Sequence, residues 1–204
     1  MDNDKVVRSR KNVAYYLTQP AVRLLGRTSV TPNAISWFGF LVTLGAAALI
    51  VSGHLFAAGF VVLIAGFFDI LDGALARGTN QTTQFGAVLD STLDRLSEAA
   101  LLLGIIVFYI LNASERPVIV VLLASVTMIG SFMVSYTRAK AEALGLKGET
   151  GLFTRAERVV VLALGLLLSQ IDYALITALS IIVVFSFITV GQRLVYVWQQ
   201  TKNR

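Results

Sequence analysis

Six stretches of this chain are predominantly apolar, the second, third and fifth carrying charges only towards one end. Each is near the length of about 20 residues at which a helix rising 1.5 Å per residue crosses roughly 30 Å of hydrocarbon. They cover about 33–53, 55–77, 86–111, 117–138, 154–170 and 173–196. None alternates with period two, so a β-barrel is excluded. The pattern predicts an all-α integral membrane protein with six transmembrane helices. Composition agrees: 56% of the 204 residues are hydrophobic and 14% charged, where a soluble domain carries about 45–50% and about 25%. A soluble globule and a disordered chain are both excluded.

The charges give the orientation. Of the seventeen Lys and Arg residues, only Arg116 falls in the loops predicted outside, at 52–55, 112–116 and 169–173. The rest gather on the other side, which marks that side as cytoplasmic and places both termini there. The net charge of +5 is therefore a topology signal, and no nucleic-acid partner is expected. Before the first span, Val13, Tyr16, Leu17, Val22, Leu24 and Leu25 stand among basic residues. They predict an amphipathic helix within 1–28, lying in the cytoplasmic interface and interrupted near Pro20. No cleaved signal peptide is expected. With no repeat or soluble segment, 1–204 reads as a single membrane domain whose six-helix core occupies 29–204.

There is no cysteine and one histidine, His54, in a predicted outside turn. Thiolate and multi-histidine metal sites are thereby excluded, so any metal must be held by carboxylates, which select hard ions such as magnesium, manganese or calcium. Acids at a membrane edge are expensive and point to function. Asp69 and Asp72 stand three apart near the end of the second run, Asp90 and Asp94 four apart near the start of the third. Each pair shares one helix face, and the short connection 78–85 makes the two helices antiparallel neighbours. Four carboxylates at similar depth repel one another unless cations neutralise them, and two bridged divalent ions would do so. Gly73 and Gly86 remove side chains where a ligand could approach, Ala76 keeps the face small, and Arg77 offers a planar fork matched to phosphate oxygens.

Asp69, Asp72, Gly73, Ala76, Arg77, Gly86, Asp90 and Asp94, in this spacing, resemble the signature of the CDP-alcohol phosphotransferase (phosphatidyltransferase) family at all eight fixed positions. The resemblance implies a six-span fold, usually a homodimer. It implies two Mg2+ ions, with Mn2+ as a substitute, held by Asp69, Asp72, Asp90 and Asp94. It also implies a CDP-linked lipid bound by Pro32, Asn33, Gly73, Ala76, Arg77 and Gly86, which loses CMP to an incoming hydroxyl, with Asp94 as general base. Thr31-Pro32-Asn33 is similar to the family's cytidine-side contact.

A second basic cluster, on the same predicted side, suggests an anionic acceptor. The segment 136–158, with Gln192-Arg193-Leu194 and Trp198, resembles the phosphatidylinositol-phosphate synthase branch. That branch joins CDP-diacylglycerol (CDP-DAG), or an archaeal CDP-lipid, to inositol phosphate. The resemblance implies that Arg138, Arg155, Arg158 and Arg193 grip the acceptor phosphate, with Ser135 and Lys140 nearby. Arg138 stands where a lysine is common and Lys140 where an arginine is. Expected, then, is a multi-pass enzyme of a prokaryotic cell membrane that makes phosphatidylinositol phosphate in phospholipid biosynthesis, with its active site cytoplasmic and membrane lipid around it. Glycerol 3-phosphate, the acceptor of phosphatidylglycerophosphate synthases, presents the same phosphate and is the alternative; a divalent-cation transporter is a remote one. For the basic loop, the plain reading is an anchor on anionic headgroups, which suits Lys147 best. Glu98, one turn beyond Asp94, reads first as helix polarity and second as a partner behind the site.

Overall fold

The computed structural model describes residues 19, 20, 22, 25, 28–112, 117–146, 151 and 153–202. These form six helices and no strand: α1 (Pro32–Val51), α2 (Leu55–Gly78), α3 (Gln84–Leu111), α4 (Pro117–Ala143), α5 (Arg155–Leu167) and α6 (Ala174–Lys202). The predicted interfacial helix within 1–28 lies almost entirely outside the described residues, as do Arg116 and Lys147.

Local chemistry sets the helix ends. Thr31 accepts the Ala34 N–H on its Oγ1 at 3.3 Å, and Pro32 follows at the first helical position, where a missing N–H costs nothing. α1 stops at Gly53, whose φ of +84° suits glycine. Gly53 N–H donates to the Ile50 carbonyl at 3.0 Å and His54 N–H to the Leu49 carbonyl at 2.8 Å, the paired bonds of a Schellman cap. After α2, Asn80 takes the left-handed conformation at φ 53°. The Oγ1 of Thr83 accepts the Gly86 N–H at 2.9 Å and starts α3. At α5 the Glu157 carboxylate reaches back to the Thr154 N–H at 2.7 Å, half of a capping box.

Helices α1, α2, α4 and α6 are long and apolar enough to cross a membrane. The other two predicted spans differ in kind. α3 has 28 residues but includes Asp90, Asp94, Arg95 and Glu98. α5 has 13 residues, which at 1.5 Å per residue is about 20 Å, short of the roughly 30 Å of hydrocarbon. α4 and α6 run past the predicted ends at Arg138 and Tyr196, because their last turns are polar and an apolar run cannot announce them.

The chain divides into two compact units, Met1–Val42 with Ile64–Leu96, and Thr43–Leu63 with Ser97–Arg204. The first has a small core of Ile35, Leu71 and Leu75, against which Val22, Leu25 and Phe68 pack. The second has a broad one that includes Ile50, Val62, Leu102, Ile105, Leu166, Leu179 and Ile182. In it, α6 packs on α4 and α5. Small residues bring those backbones close: a Cβ at Gly165 would sit 2.5 Å from the Ala178 Cβ, and one at Gly104 would sit 3.1 Å from the Ala47 carbonyl oxygen, as membrane helix packing favours.

Candidate active site

In the first unit the start of α1, the end of α2, the following loop and the start of α3 enclose a cleft of about 180 Å³. α1 contributes Pro32, Asn33 and Ser36; α2 contributes Asp72, Gly73, Ala76 and Arg77; the loop and α3 contribute Gln81, Thr82, Thr83, Gly86, Ala87 and Asp90. Every residue expected at the CDP-lipid is thus in one place, with two of the four aspartates. Asp72 is 4% exposed, and the Ser36 hydroxyl donates to its Oδ2. Asp90 and Asp69 lie within electrostatic reach of it.

Glycines give these groups their room. A Cβ at Gly73 would come within 3.3 Å of the Arg77 Nη1, so the bare backbone lets the guanidinium fold over it. A Cβ at Gly86 would stand 3.2 Å from the Asn33 Oδ1, and one at Gly39 would stand 3.4 Å from the Asp69 Oδ1. Asp69 and Asp94 are half-buried and are not among the cleft-lining residues. Among the described residues, no three carboxylate or imidazole groups close on one point at metal-ligand spacing. The Arg95 guanidinium turns back onto the Ser91 carbonyl of its own helix.

The expected acceptor residues all lie in the second unit. Arg158 is 2% exposed; its Nε and Nη2 donate to the two carboxylate oxygens of Glu98 at 2.7 and 3.0 Å. Arg193 is also buried; its Nη1 donates to the Val134 carbonyl, and Arg138 and Arg158 are within electrostatic reach. Arg138 is exposed and pairs with Glu142 at 2.8 Å. Ser135 and Arg155 are half-buried, while Lys140 is exposed.

The family model for CDP-alcohol phosphatidyltransferase matches residues 29–197. The chain belongs to this family. The transferase is 36% identical over 182 residues to the phosphatidylinositol phosphate synthase of Mycobacteroides abscessus, covering 87% of this chain and 82% of that one. Its fold is similar to a crystal structure of Mycobacterium tuberculosis phosphatidylinositol phosphate synthase with CDP-DAG bound. That match has a TM-score of 0.80 and 35% identity, over 90% of this chain and 94% of the other. A crystal structure of the same mycobacterial enzyme in complex with manganese and citrate matches with a TM-score of 0.79 and 36% identity, over 89% and 88%.

The transferase's cleft suits a hard divalent cation by donor type, since carboxylate oxygens line it and neither thiolate nor imidazole does. Two residues carry more than the sequence reading assigned. Ser36 was not singled out, although a hydroxyl one turn after Thr31-Pro32-Asn33 in an apolar helix is a signal. Glu98 reads in the sequence first as helix polarity and second as a partner behind the site, and it is the buried partner of Arg158.

Proposed function

We propose that this membrane transferase moves the phosphatidyl group of CDP-DAG, or of an archaeal CDP-lipid, onto inositol phosphate and releases CMP. Pro32, Asn33, Gly73, Ala76, Arg77 and Gly86 hold the CDP-lipid. Asp69, Asp72, Asp90 and Asp94 hold two divalent cations, Mg2+ with Mn2+ as a substitute. Bound there, the ions neutralise charge at the pyrophosphate. Asp94 takes the proton of the acceptor hydroxyl. The freed oxygen forms a bond to the phosphorus that carries the diacylglycerol, the bond to the bridging oxygen breaks, and CMP leaves with that oxygen and its electron pair. Arg77 donates to phosphate oxygens along this path.

One observation carries the choice of a phosphate-bearing acceptor. Arg193 is buried within electrostatic reach of two further guanidiniums, Arg138 and Arg158; Glu142 and Glu98 pair with those two, and the positive charge left over suits a phosphate. Ser135, Arg138, Lys140, Arg155, Arg158 and Arg193 are therefore assigned to the acceptor phosphate. Among phosphate-bearing acceptors, two of the similar proteins, which carry the name phosphatidylinositol phosphate synthase, favour inositol phosphate. The reading also takes 29–204 as one transferase domain of six membrane helices working as a homodimer, preceded by an interfacial helix within 1–28. The termini and active site face the cytoplasm, as the Lys and Arg distribution supports.

The test is CMP release from CDP-DAG by purified protein with Mg2+, comparing inositol 1-phosphate, glycerol 3-phosphate, inositol and serine. Stimulation by inositol 1-phosphate alone is expected. Stimulation by glycerol 3-phosphate instead would keep the enzyme class and replace the acceptor. No release with any acceptor, ether-linked CDP-lipids included, would overturn the reading.

A further inference from the structure

Glu98 has no part in the reaction as drawn above, and the geometry of its ion pair with Arg158 is more specific than packing requires. Arg158 approaches Glu98 side-on, through Nε at 2.7 Å and Nη2 at 3.0 Å. This engages one edge of the guanidinium and leaves the other, which includes both protons of Nη1. Nη1 is itself buried and has no hydrogen-bond partner among the described residues. The guanidinium stays charged at any working pH, so a desolvated donor without a partner is a standing cost. A buried pair adds little to stability over apolar side chains of similar volume, so stability alone does not account for this one. A charge kept in place, with one edge clamped and the other open, fits an anion seat.

The surroundings agree. Arg193 and Arg138 are within electrostatic reach of one another, and Arg158 is within reach of Arg193. The Glu98 carboxylate therefore does two things in this unit. It offsets one positive charge of a crowded group, and it fixes the plane of Arg158, whose long side chain otherwise samples many rotamers.

We propose that Glu98 is a positioning residue for the acceptor phosphate: it holds the Arg158 guanidinium so that Nη1 faces that anion. This rests on the acceptor-site reading above. It differs from that reading in the residue that decides the outcome, because Glu98 carries the same sign as the phosphate and cannot be its ligand.

The experiment uses full-length protein in detergent or nanodiscs. The KM for inositol 1-phosphate, the KM for CDP-DAG, and the inhibition constant of inorganic phosphate against the acceptor are measured for E98Q, E98D, R158K and E98Q/R158K. E98Q keeps the volume and breaks the two-point fork; E98D keeps the charge at a shorter reach. Loss of a charge-assisted hydrogen bond predicts that the acceptor KM and the phosphate inhibition constant rise together by about tenfold or more in E98Q. The CDP-DAG KM should stay unchanged, E98D should recover part of the loss, and the double variant should be no worse than R158K alone. Unchanged acceptor KM and phosphate inhibition in E98Q, with both raised in R158K, would overturn the role of Glu98 and leave the acceptor site standing. So would a fall in kcat alone, the mark of a structural pair. If R158K also leaves acceptor KM and phosphate inhibition unchanged, the anion reading of Arg158 itself fails. Should E98Q not fold, the same constants in E98D against R158K decide.

Discussion

The two units of this chain treat their carboxylates in opposite ways. In the first, Asp72 and Asp90 line a cleft with Arg77, and Asp69 and Asp90 act on Asp72 as like charges. In the second, Glu98 gives both oxygens to the buried Arg158, whose Nη1 has no partner among the described residues. Like charges at one cleft cost stability until a counter-ion arrives, so that arrangement is built for a ligand. A carboxylate that clamps one edge of a guanidinium orders its partner, so its first effect is on shape. Substitutions should separate the two: loss of an aspartate in the first unit should be read in turnover, and loss of Glu98 in acceptor binding and in the fold.

The largest effect is expected at Asp94. Asp94→Asn removes the expected base, and CMP release should fall by about 10²–10⁴-fold, the usual worth of a positioned acid or base. Its unfolding temperature in detergent should move far less than that of the next variant. An Asp94→Asn protein that unfolds early would blur the contrast between the units. Glu98→Leu strands the Arg158 guanidinium in the core, and breaking a buried pair in this way costs about 3–5 kcal/mol. Glu98→Leu combined with Arg158→Met should regain most of that stability, since no uncompensated charge remains. Unfolding temperatures of the two proteins, measured side by side, check both statements. A double variant as unstable as the single one would mean that shape, not charge, dominates at this position.

The same contrast explains what could be read from residues alone. Asp72 and Asp90, which line the cleft where Asp69 and Asp94 do not, were legible because a carboxylate in an apolar run is out of place, and i, i+3 and i, i+4 spacing already puts each pair on one face. The pairing of Glu98 with Arg158 was not, because the partners lie on different helices and no spacing rule joins them. Arg158 was expected on the acceptor phosphate; its fork goes to Glu98, which leaves Nη1 as the part open to that role. Ser36 was overlooked because a hydroxyl is nearly neutral on an apolar scale, yet it donates to Asp72. The helix ends show the same limit. Apolar residues continue past Leu167 through Leu168 and Ile171, while the backbone leaves α5 at Leu167 and turns. Apolar runs report burial or lipid contact, whereas a helix end is set by which carbonyls and N–H groups find partners.

Ser36 gives a smaller test inside the first unit. A hydrogen-bonded neighbour of a metal-binding carboxylate is commonly worth about 10–100-fold in metal affinity. Ser36→Ala should therefore raise the Mg2+ concentration for half-maximal CMP release by roughly tenfold, with saturated turnover reduced less. Ser36→Thr keeps the hydroxyl and should restore the wild-type requirement. An Mg2+ titration of the three proteins checks this; an unchanged midpoint in Ser36→Ala would show that Asp72 needs no help from α1.

The smallest effect is expected at Gly73, and its size follows from what the added methyl would meet. A Cβ there would be 3.3 Å from the Arg77 Nη1 and 3.6 Å from its Nη2. The obstacle is the far end of a flexible side chain, so the guanidinium should shift and the helix should stay. Gly73→Ala should then raise the KM for CDP-DAG by roughly two- to tenfold, equivalent to one hydrogen bond's net worth of about 0.5–1.5 kcal/mol, with no loss of thermal stability. Arg77→Ala should show the larger rise, and adding Gly73→Ala to it should change nothing more, because the group it displaces is already gone. Additive losses in that cycle would place the ligand against the Gly73 backbone itself, and the cleft's glycine would then be serving the substrate directly and not its arginine.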